Sequence, residues 1–457
     1  MDRRRFLRYS AGLAGQAFVG VAALEALAAC ASLGNARSLA GPGEGGYGSL
    51  ERAGPELALP RGFQYRVIGV QGSVMSDGYL TPGQHDGMAA FALPNGNIRL
   101  IRNHEVANAP RPNAAIGNVS KAYDPGAGGG TVSLEVDPET RELVKSFVSL
   151  NGTWRNCAGG PTPWGSWLSC EEAFFGPESG FGKMHGYVFE VPAAAEELVE
   201  PMPLVALGRF VHEAVAVDPT TGIVYETEDY TRAGFYRFLP ERPFLPGRRG
   251  DLAAGGKLQM LAVKGKPRYD TRNRQRMGEE LPVIWVDIDD PDPQGGPEEV
   301  SAVFEQGYAR GGAVFARLEG CWYGDGNVYI VSTNGGDAEL GQVWQYAPSG
   351  PEEGWLRLIF ESPSRRILNR PDNVTVSPRG AVVLCEDSGA DRQYVRGLTR
   401  DGRVFDIAAN LASNSELTGV CFSPDGRTMF FNAFGDARGR QPGMTFAVWG
   451  PWEQGAI

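Results

Sequence analysis

Short apolar runs alternate with turn-forming clusters of Gly, Asn, Asp, Ser and Pro along most of this chain. Apolar spacing of the helical kind is scarce, so the pattern reads as mostly β. One unit recurs six times. A polar or acidic residue opens it, a strand follows, a Gly-containing turn reverses the chain, and a second strand ends on another acid or amide. Asp86-Gly87-Met88 opens the first unit, Pro94-Asn95-Gly96 turns it, and Ile98-Arg99-Leu100-Ile101 leads to Asn103-His104-Glu105. The second runs from Asn156-Cys157 to Glu171-Glu172, the third from His212-Glu213 to Glu228-Asp229, and the fourth from Glu319 to Asn334. The fifth runs from Asp372-Asn373 to Glu386-Asp387, and the sixth from Glu416 to Asn432.

In an antiparallel hairpin the start of the first strand and the end of the second lie side by side. Both acidic ends of each unit therefore share one sheet edge. Radial packing of six such hairpins brings those edges to a common axis. The pattern predicts an all-β fold: a six-bladed β-propeller with loop insertions and a central metal site. Residues 59–457 are read as a single propeller domain. An insertion at about 239–299, with stretches PERPFLPGRRGD and DIDDPDPQGGPEE, reads as surface loops.

Glycine, at 63 of 457 residues, and proline, at 32, supply the turns, while a hydrophobic share of 42% excludes a disordered chain. A net charge of −11 disfavours nucleic acid as a partner. Residues 1–29 read as a leader, in which Arg3-Arg4-Arg5-Phe6-Leu7-Arg8 fits the twin-arginine export pattern. Leu27-Ala28-Ala29-Cys30 has the form of a lipobox, which would leave a lipid on Cys30 and attach the protein to a membrane. The alternative is an ordinary signal peptide cut nearby. Residues 30–58 are read as a flexible linker. The twin-arginine machinery is thus an expected partner, and the periplasm or cell envelope the expected location. Beyond the leader lie Cys157, Cys170, Cys321, Cys385 and Cys421, with no CxxC spacing, so neither a disulfide framework nor a zinc knuckle is expected. The sequence has no HExxH pair, GxSxG elbow or Walker A loop.

Carboxylates gathered on an axis repel one another and resist desolvation unless cations lie between them. Oxygen-rich sites suit calcium, which takes roughly six to eight oxygen ligands. A thiolate such as that of Cys157 suits iron better.

The segments that carry the acids also resemble a known family. Residues 156–172, reading NCAGGPTPWGSWLSCEE, look like the signature of PhoX-type alkaline phosphatases. So do Gly208-Arg209-Phe210-Val211-His212-Glu213 and Val224-Tyr225-Glu226-Thr227-Glu228-Asp229. Arg317-Leu318-Glu319-Gly320, Arg370-Pro371-Asp372-Asn373, Leu384-Cys385-Glu386-Asp387 and Ser415-Glu416-Leu417-Thr418-Gly419 are similar to further family blocks. The resemblance runs from about residue 60 to the end, in the family's order. It implies a six-bladed propeller, exported by the twin-arginine route, that hydrolyses phosphomonoesters with iron and calcium in a central channel. It also implies a cysteine thiolate on one iron and an arginine on the phosphate. This chain is shorter than the better-known members, so loops that cover the site there are expected to be missing.

Metal ligands are accordingly expected at Cys157, Glu171, Glu213, Glu228, Glu319, Asp372, Glu386 and Glu416. In the pairs Glu171-Glu172 and Glu228-Asp229, neighbours on a strand point to opposite faces, so one of each pair faces the site. The resemblance favours Glu171 and Glu228. Arg317 is expected to bind phosphate and to act in catalysis with Glu319. His104 and His212, each before a glutamate, are read as supporting groups, general acids or rim residues. The expected activity is a metal-dependent phosphomonoesterase acting on small phosphoesters outside the cytoplasm, with iron and calcium activating water. Two rival readings are a calcium-dependent lactonase-like propeller hydrolase, which needs no thiolate, and a non-enzymatic metal-binding lipoprotein.

Overall fold

The structure, a computed structural model, describes residues 46–107 and 116–457. The expected leader and Cys30 lie outside the described residues. Three short strands come first: β1 (Leu50–Arg52), β2 (Leu57–Pro60) and β3 (Gln64–Ile68). An antiparallel meander follows, made of β4 (His85–Ala92), β5 (Ile98–His104), β6 (Gly129–Val136) and β7 (Leu143–Thr153). The next sheet holds β8 (Asn156–Pro161), β9 (Ser166–Glu171) and β10 (Val188–Pro192). Then come β11 (His212–Val217), β12 (Val224–Glu228), β13 (Phe235–Arg242), β14 (Asp251–Val263) and β15 (Glu280–Asp287). Helix α1 (Ala302–Ala309) precedes β16 (Leu318–Gly324), β17 (Asn327–Ser332), β18 (Gln342–Pro348) and β19 (Gly354–Glu361). Strand β15 pairs with both β14 and β19 and so fuses two meanders into one nine-stranded sheet.

The chain ends with β20 (Pro371–Val376), β21 (Val382–Glu386), β22 (Tyr394–Leu398) and β23 (Val404–Asn410), then β24 (Leu417–Phe422), β25 (Thr428–Ala433) and β26 (Met444–Trp449). Strand β3 completes the last sheet by pairing with β26, Val67 opposite Phe446, so the first part of the fold is tied to the last. The first strands of the meanders touch in a closed ring: β4 on β8, β8 on β11, β11 on β16, β16 on β20, β20 on β24, and β24 on β4. The fold is all-β and propeller-like.

The core lies between neighbouring sheets, so both faces of a strand are buried. On β12, Val224 packs with Leu168 and Val188 of the preceding sheet, while Tyr225 packs with Ile330 and Trp344 of the following meander. This two-sided burial explains why the strands read as near-continuous apolar runs rather than as a clean alternation.

Two expectations change. Residues 46–58, read as the end of a linker, carry β1 and β2, which pair with each other and extend the sheet at β23. The reason is local: Leu57 and Leu59 are fully buried, and Tyr47 packs edge-on against Phe63, Phe405 and Trp452. The insertion at 239–299 is only partly loop, because β14 and β15 run through it. Among the described residues, no helix is long and apolar enough to cross a membrane.

Candidate metal centre

Each inner hairpin carries the same irregularity. His85 pairs with His104, yet the next partners are Met88 and Arg102, so one extra residue bulges out of the inner strand. The same step occurs between Asn156 and Gly159, His212 and Val215, Leu318 and Cys321, Pro371 and Val374, and Thr418 and Cys421. A bulge breaks strand alternation and re-aims the side chain that follows the first paired residue. Those residues are Asp86, Cys157, Glu213, Glu319, Asp372 and, in the last repeat, Gly419. The residue after the bulged one must be small where inner strands crowd the axis. A Cβ on Gly87 would lie 2.6 Å from Ala158 Cα, and one on Gly320 would lie 2.7 Å from the Asp372 carbonyl oxygen.

A second set of side chains comes from the residue just past each second strand. Its N–H donates to the carbonyl of the residue that precedes the inner strand: Glu105 to Gln84 at 2.9 Å, Glu172 to Arg155 at 3.0 Å, Asp229 to Val211 at 3.1 Å and Asp387 to Arg370 at 3.0 Å. Together with Glu416, which precedes the inner strand β24, residues of the two sets make four overlapping clusters, each with ligand atoms within 4.8 Å of one another. They are Asp86–Glu105–Cys157, Cys157–Glu172–Glu213, Glu213–Glu319–Asp372 and Asp372–Asp387–Glu416. Successive clusters share Cys157, Glu213 and Asp372, so they form one continuous chain of donors.

The electrostatics fit cations. Burial, then the charges of neighbouring acids, pushes the carboxyl groups of Asp86, Glu172, Glu213 and Glu319 well above the usual carboxylate range. Asp372 is pushed up to about 8 by burial and by Asp387. Both Glu213 oxygens are buried with no hydrogen-bond partner among the described residues. The Cys157 thiol, 3.3 Å from Asp86 Oδ2, is likewise raised by burial and by Asp86. Acids buried this close together keep their charge only if something positive joins them, and otherwise hold their protons. The donor set, one sulfur among many oxygens, suits a thiolate-accepting metal beside hard cations.

Two arginines border the donors. Arg317 Nε donates to Asp229 Oδ1 at 2.9 Å, and its Nη2 to Asp229 Oδ2 and Glu319 Oε1, both at 2.7 Å. Burial opposes its charge, but Glu319 and Asp229 outweigh burial and hold it protonated. Arg155 bridges Glu105 and Glu172 in the same way. Both have left-handed backbone, with φ of 44°. That conformation is uncommon for residues other than glycine and collects at functional sites.

Of the expected site residues, Cys157, Glu213, Glu319, Asp372 and Glu416 lie in these clusters, with Arg317 at their edge. Glu171, Glu228 and Glu386 do not. Glu171 accepts from the N–H groups of Trp154 at 2.9 Å, Gly186 at 2.8 Å and Tyr187 at 3.2 Å, and from His185 Nδ1 at 2.7 Å. Glu228 accepts from Gly234 N–H and from the Tyr236 hydroxyl, both at 2.8 Å. Glu386 accepts from Asn369 N–H at 3.0 Å and Arg396 at 3.1 Å. Each is the last residue of its strand and points into the sheet, and the residue after it turns to the axis. His104 and His212 are also turned inward, onto the carbonyls of Gly83 at 2.8 Å and Gly208 at 3.0 Å.

Asp86, Glu105 and Asp387 are not among the ligands expected from the sequence, and Glu172 and Asp229 are the members of their pairs that the resemblance did not favour. The six-fold repeat held the signal: Asp86 opens a unit as Cys157 and Glu213 do, and the other four each close one.

The family model for alkaline phosphatase PhoX matches residues 46–435. No curated protein sequence matches the chain. Among solved structures, Pseudomonas fluorescens PhoX in complex with vanadate, a transition state analogue, aligns over 90% of this chain and 99% of that one, with a TM-score of 0.67 and 16% identity. At that identity the likeness speaks for the fold. A protein of unknown function from Dyadobacter fermentans aligns over 85% of this chain and 99% of its own, at TM-score 0.46 and 11% identity. The periplasmic gluconolactonase of Pseudomonas aeruginosa aligns over 85% and 96%, at TM-score 0.39 and 13% identity. The family match spans most of the chain, including every cluster on the axis, and the chain belongs to the alkaline phosphatase PhoX family.

Proposed function

We propose that this protein is a metal-dependent phosphomonoesterase with its active site at the axial chain of acids, on a propeller of six blades. The observation that carries the reading is the set of four clusters sharing Cys157, Glu213 and Asp372, with Arg317 at the edge. Calcium fits the all-oxygen clusters, and iron fits those that include Cys157. Bound metal ions would supply the activated water and neutralise phosphate charge.

The chain's own groups do the rest. Asp229 and Glu319 grip one edge of the Arg317 guanidinium and fix its plane, and the side chain keeps 38% of its surface exposed. Of its five N–H donors, the two on Nη1 are left by these acids and can donate to phosphate oxygens, with no rotamer search when the substrate arrives. Asp86, Glu105, Glu172, Glu213, Glu319, Asp372, Asp387 and Glu416 hold the cations and set the local charge. Beyond them, the axis narrows to a cavity of about 20 Å³ lined by Met88, Trp167, Trp322 and glycines. That space takes about one water molecule. It is too small for a phosphomonoester, so substrate is proposed to reach the acids from the opposite face.

The leader reading extends the proposal: folded export by the twin-arginine machinery, and a lipid on Cys30 that keeps the enzyme in the cell envelope. Labelled palmitate incorporation that survives Cys30→Ser would rule out that anchor.

The test is hydrolysis of p-nitrophenyl phosphate by exported, folded protein, stripped with chelator and then given back calcium. Activity that vanishes and returns is the expected result. No turnover from neutral to alkaline pH, with iron and calcium both measured in the protein, would overturn the proposal.

A further inference from the structure

The position before each inner strand is the same place in every repeat, because its carbonyl accepts the N–H that pins the second set of residues. Gln84, Arg155, Val211, Arg317, Arg370 and Glu416 occupy it. Three of the six are arginines, and all three have left-handed backbone, Arg370 with φ of 53°. Arg155 is committed to Glu105 and Glu172, and Arg317 to Asp229 and Glu319. Arg370 is exposed, and among the described residues its guanidinium meets no carboxylate.

Its backbone is held firmly all the same. The Arg370 N–H donates to the Leu340 carbonyl at 2.9 Å, its own carbonyl accepts from Asp387 at 3.0 Å, and Pro371 follows. Arg370 also stands before a strand that supplies the same cluster as the strand after Arg317. That cluster, Glu213–Glu319–Asp372, takes Glu319 from the strand that follows Arg317 and Asp372 from the strand that follows Arg370. The two strands, β16 and β20, pack against each other. A long, uncommitted cation on a fixed backbone, beside a centre built for a dianion, has one evident use.

We propose that Arg370 is a second phosphate-gripping residue, which binds the terminal phosphoryl oxygens of a phosphomonoester from the side of the centre next to Arg317. The inference rests on the phosphatase reading and deepens it. Arg317 is pre-oriented by two acids, so it sets the pose. Arg370 closes on the phosphate and adds a charge that no protein acid neutralises. A guanidinium offers paired donors where an ammonium offers a point charge, so lysine should replace it only in part.

The experiment compares the metal-loaded wild type with Arg370→Ala and Arg370→Lys. Calorimetric titration with inorganic phosphate gives a Kd that does not depend on turnover, and p-nitrophenyl phosphate kinetics give KM and kcat. Elemental analysis checks that metal content is unchanged. Arg370→Ala is expected to weaken phosphate binding and raise KM roughly tenfold or more, with a smaller change in kcat, and Arg370→Lys to fall between. A metal-loaded Arg370→Ala protein with the wild-type Kd and KM overturns this inference alone. A metal-loaded wild type that neither binds phosphate nor turns over overturns the phosphatase reading and this inference with it.

Discussion

Glu171 accepts hydrogen bonds from three backbone N–H groups and from His185, whereas Glu172, one residue on, meets Arg155 and other acids. The contrast recurs. Glu228 is held by Gly234 and Tyr236 while Asp229 turns to Arg317, and Glu386 is held by Asn369 and Arg396 while Asp387 turns to Asp372 and Glu416. One sequence pattern, two adjacent acids at a strand end, thus yields two kinds of carboxylate. The inner one is answered by donors that the fold itself provides. The axial one is left for a cation from outside. Burial raises Glu228 and Glu386, but hydrogen bonds restrain the rise: Glu386 is held to about 7 and Glu228 to about 8.

The largest effect that separates the two kinds is the pH dependence of metal-free protein. Burial lifts Asp372 and Glu228 to about 8 in the folded state. In the unfolded chain both lose their protons near pH 4. Between those values the folded state holds more protons at these two groups than the unfolded one, so their share of stability falls as pH rises from about 4 to about 8, against an opposite share below about pH 6.5 from the buried His85, His104 and His212, whose pKa values burial lowers. The fall is expected on the order of 5 kcal/mol, read by urea unfolding of chelator-stripped protein across that window. Calcium should cancel the axial share, from Asp372, and leave the share from Glu228. Stability that climbs with pH above about 6.5 in the stripped protein would break the comparison.

The inner kind can be tested alone. Glu171→Ala leaves His185 Nδ1 and three N–H groups without an acceptor in a sealed interior, and should destabilise the protein by about 3–5 kcal/mol. His185 gives a subtler version. Burial alone would lower its pKa, but the Glu171 carboxylate and the Asp124 hydrogen bond outweigh burial and hold it at about 9. Its ion pairs therefore contribute fully below pH 6.5 and are lost as pH rises through about 9. His185→Gln should be destabilised by on the order of 3 kcal/mol at pH 6, and the gap to wild type should close by pH 9. A gap of constant size would mean that shape, not charge, is what His185 supplies.

Much of this centre was legible beforehand. Paired acids at matching unit ends point to an axis, the family resemblance picks out Cys157, Glu213, Glu319, Asp372 and Glu416, and all five lie in the clusters. The choice within each acid pair was not legible. Strand alternation says that neighbours diverge but not which way, and the answer depends on a bulge in the opposite strand that leaves no mark of its own in composition. The end of the expected linker, residues 46–58, differs for another reason. Its glycines and charges suggest loose chain, yet Leu57, Leu59 and Tyr47 are enough to dock it.

The smallest expected effect is also the sharpest, because it has the opposite sign. Glu172→Gln keeps an oxygen that can accept from Arg155, and it removes one of several acids that repel across the axis. In metal-free protein it should therefore leave stability unchanged or raise it by up to about 1 kcal/mol, where Glu171→Ala, its neighbour, lowers it by about 3–5 kcal/mol. In metal-loaded protein the same change should reduce the metal bound by the Cys157–Glu172–Glu213 cluster, read by elemental analysis after dialysis. A Glu172→Gln protein that unfolds as readily as Glu171→Ala would show that both acids hold the sheet, and that the division between structural and axial carboxylates is wrong at this repeat.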